Sequence, residues 1–121
     1  MNRTKLVLAT VFSMAITPSA AQDYEKGLEA AKLGDFQTAL QEWRPLAEQG
    51  DADAQKDLGV MYFTGQGVPQ DYDEAVKWYR QAAEQGNVAA QSNLAEIYYK
   101  GQGVPQDFDE AARWLQLVAK D

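Results

Sequence analysis

A chain of 121 residues, 45% of them hydrophobic, is the size of one small domain built around one core. Its formal net charge of −7 makes nucleic acid and anionic membrane surfaces poor partners. It has no cysteine and no histidine, which excludes disulfides, thiolate nucleophiles, Ser-His-Asp and Cys-His catalysis, and metal sites that need imidazole or thiolate.

Residues 1–21 read as a processing signal. Arg3 and Lys5 form a basic start, and Leu6 to Ile16 give an apolar run of about eleven residues, too short to span a bilayer but suited to a signal-peptide core. Pro18 ends that run, and Ser19-Ala20-Ala21 supplies small residues for cleavage after Ala21. The expected destination is periplasmic or secreted, with no stable membrane insertion after cleavage. Without a cysteine no lipid anchor is expected.

Residues 22–49 predict a helical hairpin. Tyr24 to Leu33 is a short helical pattern, Gly34-Asp35 a tight turn, and Phe36 to Gln49 a second helix carrying Phe36, Ala39, Leu40, Trp43, Leu46 and Ala47. From Gly50 the chain repeats itself: residues 50–85 and 86–121 align over 36 positions, nearly half of them identical. Leu58/Leu94, Tyr62/Tyr98, Trp78/Trp114 and the stretch GQGVPQD recur in register. Apolar residues at Ala54, Leu58, Met61 and Tyr62, then at Ala75, Trp78, Tyr79 and Ala82, have helical spacing, so each copy predicts helix, loop, helix. The fold class expected is all-α, a short α-solenoid of three antiparallel helical hairpins.

The loop GQGVPQD reads as punctuation. Gly65 stands where a helix commonly ends in the left-handed conformation, Pro69 stops the helix from continuing, and Asp71 opens the next one. Asp71 with Glu74, and Asp107 with Glu110, have the spacing of a capping box. A phosphate loop is excluded, because no strand precedes it, a third glycine and a Lys-Ser/Thr are missing, and Asp71 puts negative charge where phosphate would sit. Asp51, Asp53 and Asp57 mimic the start of a calcium loop, but Lys56 takes the required glycine position and Tyr62 the bidentate glutamate position; helix capping by Asp51, and by Asn87 one copy later, is the better account. The pairs Asp73/Glu74 and Asp109/Glu110 are first-turn acids with nothing to raise a carboxyl pKa, and Ser92 lacks a general base. No catalytic residue, metal ligand or cofactor is expected.

The residues A-Q-x-x-L-G-x-x-Y-x-x-G-x-G-V at Ala54 to Val68, D-x-x-x-A-x-x-W-Y at Asp71 to Tyr79 and A-A-E-Q-G at Ala82 to Gly86 resemble the Sel1-like repeat, a relative of the tetratricopeptide repeat. The second copy departs at Ala95, Leu115 and Val118. The first hairpin resembles the plainer tetratricopeptide unit. This resemblance implies an α-solenoid adaptor that binds a protein partner, in the manner of regulators of envelope signalling or assembly. It also implies an alternative, a cell-wall-related ligand-binding protein or weak hydrolase, but the β-lactam-linked members resemble a cysteine-rich subgroup.

In a solenoid the positions that differ between matched units are free of the shared packing rule. With Leu58 and Tyr62 inward, the other face of that helix carries Lys56, Val60 and Phe63, and the matching face one copy later carries Ser92, Glu96 and Tyr99. These are the candidate partner-binding residues. Leu117 joins them, because the last helix carries Leu115, Leu117 and Val118 where the preceding copy has Tyr79, Gln81 and Ala82. That apolar end raises the expectation of self-association.

Overall fold

The computed structural model describes residues 21–120. The processing signal proposed for residues 1–21 therefore lies outside the described residues, save for Ala21. Six α-helices follow: α1 Tyr24–Lys32, α2 Phe36–Glu48, α3 Ala52–Thr64, α4 Tyr72–Glu84, α5 Val88–Lys100 and α6 Phe108–Lys120. Each packs mainly on its neighbours in sequence, which makes three hairpins stacked in a row. No strand occurs among the described residues.

Helix starts follow from polar side chains that accept the otherwise unpaired amides of a first turn. Asp35 accepts from Thr38, Asp51 from Ala54, Asp71 from Glu74 and Asn87 from Ala90. Asp107 does the same for Glu110 at 3.0 Å. The expected capping box is half made. The amide of Asp71 donates to the Tyr62 carbonyl at 2.8 Å, and that of Asp107 to Tyr98 at 2.9 Å, so no donor remains for the glutamates. Glu74 pairs instead with Lys77, and Glu110 with Arg113.

The loop does more than turn. Gly65 and Gly101 end α3 and α5 in the left-handed conformation, at φ 75° and 72°. The second glycines, Gly67 and Gly103, also have positive φ, and they press against the preceding hairpin: a Cβ on Gly67 would meet Phe36, and one on Gly103 would lie 2.6 Å from Tyr72 Cβ. The Gln70 and Gln106 amides close the loop by donating to the Phe63 and Tyr99 carbonyls, each at 2.8 Å. GQGVPQD thus lays each repeat against the one before it.

Two apolar clusters form the core. One holds Ala39, Trp43, Leu58, Met61 and Trp78; the other holds Val76, Tyr79, Leu94, Ile97, Tyr98 and Trp114. Trp78 and Tyr79 are adjacent on α4 yet serve different clusters, so α4 is covered on two sides and couples the junctions. A polar clip repeats across both junctions. Arg44 donates to the Tyr62 hydroxyl at 2.8 Å, and Arg80 donates to the Tyr98 hydroxyl one period later. Each guanidinium also lies over the ring it bonds.

Candidate functional site

The candidate residues fall in two places, a cleft between the second and third hairpins and the open face of the last hairpin. In the cleft, Phe63 on α3 stacks at a tilt on Tyr72, with centroids 5.0 Å apart, and reaches Tyr79 at 6.5 Å. Phe63, Tyr79, Asn93, Glu96 and Ile97 line a cavity of about 70 Å³ that is open to solvent. Val60 and Phe63 are partly buried against the second cluster, so these two side chains carry packing although their identity changes between copies. Lys56 turns away to pair with Asp57 at 2.7 Å, Ser92 is exposed, and Glu96 pairs with Lys100 at 2.6 Å.

The electrostatics of the cleft come from carboxylates beside phenols. Burial raises the Tyr79 hydroxyl well above the ordinary tyrosine range, helped by the charges of Asp57 and Glu96. At the junction of the first and second hairpins, outside this cleft, burial does the same for Tyr24, followed by its hydrogen bond to Asp57. Both phenols stay protonated and both act as dipoles between acids. This arrangement suits a hydrogen-bonding or cationic ligand and repels an anionic one.

On the last hairpin, Tyr99 and Phe108 form a tilted pair with centroids 5.2 Å apart, and they are 59% and 58% exposed. The pair one period earlier, Phe63 and Tyr72, has the same chemistry in swapped order and is partly covered by α5 and the second loop. Leu115 and Leu117 are exposed on α6. With Val88 at the start of α5, five of the six large apolar side chains that stand exposed among the described residues lie on one hairpin.

Behind Leu117 a glutamine network stops short. Gln55 donates to the Ala47 carbonyl at 3.0 Å and to Gln81, and accepts from Gln85 at 2.8 Å. Gln91, one period later, donates to Ala83 at 3.1 Å, but Leu117 stands in the place of Gln81 and offers its amide no second acceptor, and its buried Oε1 has no partner among the described residues. Leu117 borders a cleft of about 300 Å³ with Arg113, Trp114, Gln116 and Lys120. Sequence comparison of the copies marked Tyr99 and Leu117, but missed Tyr79, Asn93 and Phe108. The Tyr79-to-Leu115 change was a visible signal that a packing residue also differs.

Other chemistry finds no assembled parts. Asp51 caps α3, Asp53 accepts from the Asn87 side chain, and Asp57 accepts from Tyr24. Among the described residues no group of acids is placed to hold a metal ion, and no helix is long and apolar enough to cross a membrane.

A family model described as Sel1 repeat matches residues 52–87 and again 88–120. Among solved structures, a Sel1 repeat protein from Oxalobacter formigenes is 33% identical with a TM-score of 0.77, over 81% of this chain and 40% of that one. The protein c5321, a protective antigen present in uropathogenic Escherichia coli strains and displaying an SLR fold, is 36% identical with a TM-score of 0.76, over 80% of this chain and 22% of that one. The chain therefore spans well under half the length of these two similar structures. No curated protein sequence matches it.

Proposed function

Because the chain belongs to the Sel1 repeat family, whose repeats generally mediate protein–protein interaction, we propose that it is a non-catalytic adaptor exported to the cell envelope. It holds a protein partner through surfaces that its last two repeats leave open. The observation that carries this reading is the Tyr99–Phe108 pair, whose counterpart Phe63–Tyr72 is partly covered by the next repeat. An adjacent aromatic pair that is more than half exposed is a candidate anchor for a protein partner. Export rests on the basic start, apolar run and small-residue cleavage site of residues 1–21.

The non-catalytic reading is supported by where the acids sit. Glu74 and Glu110 are tied to Lys77 and Arg113 on the surface, far from the buried, mutually oriented groups a hydrolase needs. The same open face supports self-association through α6, in which Leu115 and Leu117 of two copies meet. Capture from envelope extracts tests the adaptor reading. The wild-type chain is expected to retain a discrete partner that a Tyr99→Ala, Phe108→Ala variant of unchanged helicity loses; equal recovery by both removes the proposed surface. Phe63 is left intact in this design because it packs on Tyr72 and Tyr79.

A further inference from the structure

The two junctions between hairpins are built on one plan but are filled by different side chains. At the first, Tyr24 lies 5.7 Å from the Trp43 ring, and its hydroxyl donates to Asp57 Oδ2 at 2.5 Å. Trp43 and Asp57 stand one period before Tyr79 and Asn93, so the protein supplies its own donor to this aromatic and acidic niche. At the second junction the residue in register with Tyr24 is Lys56, aligned through Gly27 and Gly59, and Lys56 turns to Asp57 on its own helix. The niche beside Tyr79 is left as the cavity of about 70 Å³. Tyr79 is only 3% exposed, and its hydroxyl makes no hydrogen bond among the described residues.

We propose that this niche takes the ammonium end of a lysine side chain carried by the protein partner, a deepening that rests on the adaptor reading above. The chemistry selects the class. An acid is repelled by the Glu96 carboxylate that lines the niche, and an apolar group would cover the Tyr79 hydroxyl without giving it a partner. An ammonium donates to Glu96 and to the oxygens of Tyr79 and Asn93 while its last methylenes lie against the Phe63 and Tyr79 rings. An ammonium, with three donors on a flexible stem, suits polar groups presented singly by Tyr79, Asn93 and Glu96 better than the planar fork of a guanidinium, which matches one carboxylate. Lys100 already pairs with Glu96, but both side chains are more than half exposed, so an incoming lysine displaces it at little cost.

The test is a nuclear magnetic resonance titration of the ¹⁵N-labelled chain with acetyl-Gly-Lys-Gly-amide and with the same peptide acetylated on its lysine. The charged peptide is expected to give saturable shifts centred on the Asn93 side-chain amide and on the Phe63 and Glu96 backbone. Glu96→Gln should weaken its binding about fivefold or more, and Lys100→Ala should tighten it, by removing the competing ammonium. Both substitutions are at exposed side chains, and circular dichroism checks that the fold is kept. Equal shifts from the neutral peptide, an unchanged affinity in Glu96→Gln, or shifts spread over the acidic surface without a centre would overturn the proposal. Partner capture that still depends on Tyr99 and Phe108 would then leave the adaptor reading standing without the lysine niche.

Discussion

Gly59 lies flat against Tyr79: a Cβ on this glycine would come within 2.6 Å of two carbons of the phenol ring. The same contact joins Gly27 to Trp43 one hairpin earlier. In the last hairpin both partners change together, to Ala95 and Leu115, so a larger residue on one helix accompanies a smaller one on the other. The close approach of α3 and α4 is a matched pair of sizes and not a property of either residue alone.

Gly59→Ala is expected to destabilise the chain, because overpacking costs about 1–3 kcal/mol while the alanine helix preference returns only about 1 kcal/mol. Adding Tyr79→Leu rebuilds the Ala95–Leu115 arrangement. The two changes should couple favourably by at least about 0.5 kcal/mol in a double-mutant cycle read by urea unfolding. Strict additivity would show that the rings and glycines are not matched.

Gly103→Ala should cost more than Gly86→Ala. Both glycines have positive φ, which costs an L-residue about 1–2 kcal/mol, but only Gly103 also lies against another hairpin, where its Cβ would meet Tyr72. Gly86 has open space around it. Thermal unfolding of the two variants compares them directly, and equal midpoints would mean the loop's second glycine serves only to turn the chain.

Tyr98→Phe removes the acceptor of the Arg80 clip while keeping the ring, and a loss of about 1 kcal/mol is expected. The urea midpoint should fall with an unchanged slope. Tyr62→Phe should behave alike, because Arg44 makes the same bond at the first junction.

Stability should fall as pH rises above the ordinary tyrosine range, near 10. The folded state holds Tyr24 and Tyr79 protonated above that range while the unfolded chain loses their protons, so their contribution is complete below it and is lost on going higher. Tyr79→Phe should flatten the alkaline decline of the urea midpoint. An unaltered decline would assign it to other groups.

Much of this was legible beforehand. The period of GQGVPQD gave the hairpins, and the caps at Asp51, Asp71, Asn87 and Asp107 could be named because a cap depends on residues within one turn of it. The half-made capping box could not, since the Asp71 amide is taken by the Tyr62 carbonyl from the far side of the loop. Comparison of the copies found Phe63, Glu96, Tyr99 and Leu117 as variable positions. It could not tell that Phe63 packs against Tyr79 while Tyr99 stands open, because that depends on which helix comes to lie over each. Tyr24 was read only as the start of a helix; its bond to Asp57 spans two hairpins, and sequence spacing carries no sign of it.

The most direct test of the adaptor claim is photo-crosslinking in the living cell, with a benzophenone amino acid placed at Tyr99 or, as a control, at Glu29 on the exposed face of α1. The account predicts a discrete crosslinked protein from position 99 and none from position 29. No adduct at 99, or the same adduct from both positions, would contradict it.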